Sequence, residues 1–208
     1  MLPRLVKRLA CIVLLAWSTV AAAGGAFNEH LLAGASHFRA GRYEAALVEL
    51  QVAEKLGAGA QARWYIAATL SKLGRPEDAL EAFLSAAAGD PGMRDVLLTY
   101  HEAVASQDAR LYARADRLLS SVGSGGGPAI AEFAAKLRAQ LAPLLQATPT
   151  HASVDWYLDR VAANRAGRPR LAALFAEEAA RVAHRTPDCY RCADADKLAG
   201  ALAAGGSP

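Results

Sequence analysis

The segment Gly41-Arg-Tyr-Glu-Ala-Ala46-Leu-Val-Glu-Leu50-Gln-Val-Ala53 recurs as Gly74-Arg-Pro-Glu-Asp-Ala79-Leu-Glu-Ala-Phe83-Leu-Ser-Ala86, with Gly74 standing 33 residues after Gly41. A looser third copy runs Gly167-Arg-Pro-Arg-Leu-Ala172-Ala-Leu-Phe-Ala176-Glu-Glu-Ala179. A unit this short cannot enclose a core of its own, so repeats of this period must stack on one another to bury their apolar sides. In each copy the glycine suits the end of one helix, where a residue without Cβ takes the left-handed conformation. Pro76 and Pro169 suit the first turn of the next helix, whose N–H groups have no partner in any case. Ala46, Ala79 and Ala172 are small enough to let two helices approach closely, while Leu50 and Phe83 fill the layer one turn on. Ala53, Ala86 and Ala179 return to the same face after two further turns. The long alanine runs and an aromatic content of only 7% favour helix over sheet throughout.

These glycine, alanine, aromatic and proline positions resemble the tetratricopeptide repeat, over residues 27–91 and again over 153–187. The first unit departs from the family pattern at His30 and Ala33 and lacks the closing proline, which the second has at Pro91. The resemblance implies an all-α fold: a right-handed superhelical solenoid of antiparallel helix hairpins, with a C-terminal helix over 194–204 capping its open end. Residues 93–121 have the length of another hairpin, with Ala113 and Leu118 hinting at its register. The expected divisions are a signal peptide over 1–23, N-terminal hairpins over 24–122, a Gly-rich linker over 123–128, and a C-terminal helical region over 129–208. In that last region Pro128 starts a helix that runs to about Ala147, bends at Pro143 and has no evident partner in the repeat scheme.

In a superhelix of this family the first helix of each hairpin lines the concave surface. By resemblance that exposes Leu31, Phe38 and Arg39, then Trp64, Ala68 and Lys72, then Tyr157, Asn164 and Arg165. Read from the residues alone, Arg39, Lys72 and Arg165 each precede a turn glycine by two positions. One account is that they complement the negative end of a helix dipole. The other is that they form a cationic stripe, flanked by Trp64 and Tyr157, for an acidic partner segment. The expected partner-binding residues are therefore Phe38, Arg39, Trp64, Lys72, Tyr157, Asn164 and Arg165.

The chain opens with Arg4, Lys7 and Arg8, continues through apolar residues 9–17, and reaches the small residues Ala21, Ala22 and Ala23. That is the order of a secretory signal peptide, expected to be cleaved after Ala23, although an uncleaved anchor has a similar start. The apolar part is shorter than the roughly 20 residues a membrane span needs. Of 23 basic residues these three would leave with the leader, so 20 would face 20 acidic ones in a formally neutral mature chain. Nucleic acid is then an unexpected partner, because phosphate binding needs a surplus of Lys and Arg. The expected location is periplasmic or secreted, with membrane contact only through partners.

Cys11 would leave with the leader, and Cys189 and Cys192 would remain as an even pair in an oxidising compartment. A disulfide between them is expected, with free thiols and a redox or metal role as alternatives; haem attachment would require His where Ala193 stands. The five histidines, His30, His37, His101, His151 and His184, form no metal-ligand spacing, and no catalytic motif of hydrolases or phosphate-binding loops is present. The chain therefore reads as an exported, non-catalytic interaction scaffold without cofactor, its partner a protein or peptide segment. The rival classes are a thiol or metal protein centred on Cys189 and Cys192, and a structural subunit of an envelope assembly.

Overall fold

The computed structural model describes residues 25–90, 95–125 and 127–205, and among these every regular element is helical. Helix α1 covers 25–39, and α2 (Tyr43–Ala53) runs on into a wide π-helical turn over Glu54–Ala58. Then come α3 (Gly59–Lys72) and α4 (Pro76–Gly89), α5 (Val96–Asp108) and α6 (Tyr112–Gly125), and α7 (Pro128–Gln146). The chain ends in α8 (His151–Asn164), α9 (Pro169–Ala183) and α10 (Cys192–Gly205). The expected leader and the cleavage expected after Ala23 lie outside the described residues, as does Pro91. Among the described residues no helix is long and apolar enough to cross a membrane.

Neighbouring helices pair: α3 packs on α4, α5 on α6, and α8 on α9, with α3 also against α5. The repeated positions are where the helices touch. Ala46, Leu50 and Ala53, their counterparts Ala79, Phe83 and Ala86, and Ala172 with Ala179 are all fully buried. Gly34 shows how close the approach is, since a Cβ placed there would stand 2.6 Å from Leu50 Cγ. At the same joint His30 Nδ1 lies 2.6 Å from Glu49 Oε2.

The turns explain the pattern further. Gly41 and Gly74 have φ of 73° and 69°, and the chain closes behind them when Arg42 N donates to His37 O and Arg75 N to Leu70 O. The α5–α6 turn has the same geometry, with Leu111 N donating to Ser106 O, but Arg110 takes the left-handed position at φ 62°. This hairpin is thus built like the first two. Its buried small and large residues are Ala115, Leu119 and Val122, not the expected Ala113 and Leu118, which are only half-buried. Gly167, by contrast, does not adopt a positive φ: Arg168 N donates to Asn164 O at 2.7 Å, a five-residue turn that needs no left-handed residue.

Three further expectations change. The Gly-rich stretch is not a linker from 123, because α6 continues through Gly125 and α7 begins at Pro128. Packing overrides the weak propensity of glycine here. Leu119 and Val122 of α6 meet Ala134 and Leu141 of α7 in a second, smaller core, which gives α7 its partner. The last helix is also longer than the expected 194–204, since α10 starts at Cys192 and lies along α9. Finally, α9 docks on α4 as well as on its own hairpin partner, so the last hairpin folds back against the second one. Arg168 donates to Asp78 Oδ1 at 2.6 Å and Arg160 pairs with Glu77 across that joint.

Candidate functional site

The residues expected to form one binding stripe part company in the structure. Trp64 is fully buried because it fills its own hairpin, its ring centroid 5.8 Å from that of Phe83 and its Nε1 donating to Asp90 O. Leu31 and Ala68 are buried as well. Tyr157 is buried with its hydroxyl donating to Arg110 O at 2.6 Å, and Asn164 is buried with Nδ2 donating to Glu77 Oε2 and Arg160 O. Leu31, Trp64, Ala68 and Asn164 therefore offer no surface to a partner, a correction to the groove that the resemblance implied, while Tyr157 keeps only an edge in an open pocket of about 350 Å³ that it lines with Arg110 and Trp156. Arg165 is exposed, but it sits in the α8–α9 turn beside Asn164. Arg39 is exposed too, and its Nε donates to Ala35 O in its own helix.

Phe38 and Lys72 do come together, through a residue that the spacing arguments passed over. His101 of α5 meets Phe38 edge-to-face at 5.8 Å, and Tyr100 at the same distance. His101 in turn lines, with Lys72, an open cleft of about 370 Å³ between α3, α5 and α7. The rest of the lining is Leu97 and Tyr100 from α5 and Ile130 and Phe133 from α7. The volume lies within the range of sites that hold one side chain or a small molecule.

Each wall has a reason in the local sequence. Asp95 caps α5, its Oδ1 accepting from Leu98 N at 2.7 Å, and so fixes the turn that presents Leu97, Tyr100 and His101. Pro128 starts α7, whose Ala134 and Leu141 are buried and whose Ile130, Leu137 and Leu145 are partly covered, while Phe133 and Leu144 stay exposed. Phe133 is 57% exposed and Leu97 48% exposed, at a site already lined by other apolar groups.

The electrostatics are equally lopsided. Among the described residues Lys72 forms no ion pair, and no carboxylate lines the cleft. Burial, with the Lys72 ammonium beside it, pushes the pKa of His101 down to about 4 against a weaker upward pull from Asp95. Its ring is neutral at neutral pH, and Nδ1 is a buried atom without a hydrogen-bond partner. A cleft so made can hold an apolar group and hydrogen-bond or charge-pair one polar atom.

The cysteines are elsewhere, half-buried, with Cys192 at the first position of α10 and Cys189 three residues before it. A hydrogen bond with Cys189, aided by burial, pushes the Cys192 thiol up to about 11. A reactive thiol needs the opposite shift. Around them Tyr190 and Arg191 both bind the Asp155 carboxylate. No group of three or more His, Cys, Asp or Glu side chains that could hold a metal occurs among the described residues.

Leu97, Tyr100, His101, Ile130 and Phe133 were not foreseen as site residues. The one available signal was α7 itself, a strongly apolar helix without an assigned repeat partner, whose uncovered side needs explaining. No family model, curated protein or solved structure matches the chain.

Proposed function

We propose that this protein is an exported, non-catalytic interaction scaffold of the tetratricopeptide-repeat kind, which takes a segment of a protein partner into the cleft between α3, α5 and α7. The observation that carries this reading is the coincidence of exposed Leu97 and Phe133 with an unpaired cation, Lys72, around one concave site. Apolar anchors surrounded by a polar rim are how protein surfaces concentrate binding energy. The lone positive charge favours an acidic segment.

Selection of displayed random peptides on the full chain tests it. Enriched sequences are expected to combine apolar and acidic residues. Phe133→Asp should weaken their binding at least tenfold and Lys72→Glu several-fold, with the helical circular dichroism unchanged. Peptides that bind Phe133→Asp as well as the parent would place the binding surface elsewhere. Amino-terminal sequencing of the exported protein tests the accompanying localisation, with Gly24 or a near neighbour as the expected first residue.

A further inference from the structure

We propose that the open pocket between the α5–α6 turn and the start of α8 is a carboxylate site, separate from the cleft: Arg110 takes both oxygens of one monocarboxylate, and the Tyr112 hydroxyl donates to one of them. The pocket holds about 350 Å³, with Arg110, Tyr112, Trp156 and Tyr157 among its walls. Arg110 stands where the first two hairpins have Gly41 and Gly74, at φ 62°, a conformation that costs any residue with a Cβ. Its guanidinium lies 4.9 Å from the Trp156 ring centroid, an attraction to the face of the ring that uses none of its five N–H donors. Among the described residues no carboxylate pairs with it, whereas Arg160, over the same ring, is committed to Glu77 at 3.0 Å. The Tyr157 hydroxyl, donating to Arg110 O at 2.6 Å, holds the backbone beneath the guanidinium, so the donor fork is fixed before any ligand arrives.

The lining decides the ligand. No carboxylate faces the pocket, so a cation would meet Arg110 without an opposing charge. A sugar needs a bare aromatic face, and the Trp156 ring already carries two guanidiniums and meets Tyr157 and Phe175 edge-to-face. A phosphate group brings nearly two negative charges at neutral pH, against a single unpaired cation. A carboxylate brings one charge, on two coplanar oxygens that match the guanidinium fork. Tyr112 makes no hydrogen bond through its hydroxyl to any described residue, and an oxygen that accepts one N–H from Arg110 has a second lone pair for it. The volume admits a small free acid or the Asp or Glu side chain of a protein segment, which present the same group.

The test titrates the full chain, at constant ionic strength, with butyrate, butyramide, inorganic phosphate and the blocked tripeptides acetyl-Ala-Glu-Ala-amide and acetyl-Ala-Gln-Ala-amide, followed by the Trp156 indole resonance and by calorimetry. Butyrate or the Glu tripeptide is expected to bind at least tenfold tighter than its amide counterpart. Arg110→Lys, which keeps the charge and loses the fork, should weaken that binding at least tenfold and Tyr112→Phe severalfold, with the helical circular dichroism unchanged. Phe133→Asp, in the cleft, should leave it as it is. Tighter binding of butyrate makes the ligand a free acid, and tighter binding of the Glu tripeptide makes it a side chain of a partner segment; either result upholds the site and names its source. The assignment falls if the amides bind as well as the acids, if phosphate binds tighter than both acids, or if Arg110→Lys and Tyr112→Phe both bind as the parent does. Loss of acid binding in Phe133→Asp would seat the acid in the cleft beside Lys72 and overturn the pocket, as would no binding of either acid at tens of millimolar.

Discussion

The hydroxyl of Tyr157 donates to the backbone carbonyl of Arg110 at 2.6 Å, binding the last hairpin to a helix-helix turn where a side chain occupies a glycine's conformation. Arg110 also lays its guanidinium over Trp156, 4.9 Å from the ring centroid, and Arg160 lies over the same ring at 5.1 Å. Sequence separation makes the contact informative, since donor and acceptor stand 47 positions apart.

A left-handed conformation costs a residue with a Cβ about 1–2 kcal/mol. Arg110→Gly and Arg110→Ala both remove the stacked guanidinium, so their difference isolates the backbone. Arg110→Gly is expected to be the more stable of the two by about 1 kcal/mol, the reverse of the usual order of Ala over Gly. Chemical denaturation of the two variants measures it, and equal midpoints would mean the turn relaxes out of the left-handed region.

Tyr157→Phe keeps the ring and deletes the donor, leaving the Arg110 carbonyl without it at an expected loss of about 1–2 kcal/mol. Burial, reinforced by the Glu178 carboxylate, holds the Tyr157 phenol well above its ordinary value of about 10. A raised phenol pKa contributes stability that is complete below pH 10 and is lost as the unfolded chain ionises above it. The parent protein should therefore lose stability from about pH 10 upward more steeply than Tyr157→Phe, as thermal melts across that range would show.

His101 titrates in the opposite window. Above pH 6.5 neither state carries the proton; below it the unfolded chain takes one that the folded ring refuses until about pH 4. Stability thus falls between pH 6.5 and 4 and then levels, by at most about 3 kcal/mol. The groups facing the ring are Lys72 from α3 and Asp95 at the head of α5, with the Phe38 and Tyr100 rings against it. His101→Gln should flatten that slope, and an unchanged acid limb would show that other groups set it.

Gly34→Ala opposes two effects of known sign. Alanine gains about 1 kcal/mol of helix propensity, but its Cβ would meet Leu50 Cγ at 2.6 Å and Cδ2 at 2.8 Å. Overpacking at about 1–3 kcal/mol should win. Combining it with Leu50→Ala should cost less than the sum of the two single losses, a coupling that a double-mutant cycle reads directly.

The Cys192 thiol, with its pKa raised mainly by Cys189, should alkylate at pH 8 about a hundredfold more slowly than an ordinary cysteine. Cys189→Ala should quicken it. Recovery of a bridged pair, with no thiol to label in unreduced protein from an oxidising compartment, would replace this prediction with the disulfide.

The helix hairpins were legible wherever the turn carried glycine, because Gly41 and Gly74 fix the register of everything after them. At Arg110 that marker is missing, and the eye moves to Ala113 and Leu118 although Ala115 lies 36 residues after Ala79 and Leu119 the same distance after Phe83. The binding residues were harder to find. A spacing rule places a residue on a helix face but does not say what lies against that face, and α9 docking on α4 is a relationship no local pattern carries. Hence the stripe expected at Trp64, Tyr157 and Asn164 went into the interior. Phe38 and Lys72 proved to be neighbours of His101, a residue without any recurring pattern.

Because α9 rests on α4, contacts such as Asn164 to Glu77 and Arg168 to Asp78 join parts of the chain 87 and 90 residues apart. An array in which each hairpin touches only the next unfolds by fraying, one unit after another from a free end. Here the fourth hairpin is a strap over the second, so neither can melt while the other holds. Heat or denaturant should find a single cooperative unit, formed only after the chain has waited for its last third to be made.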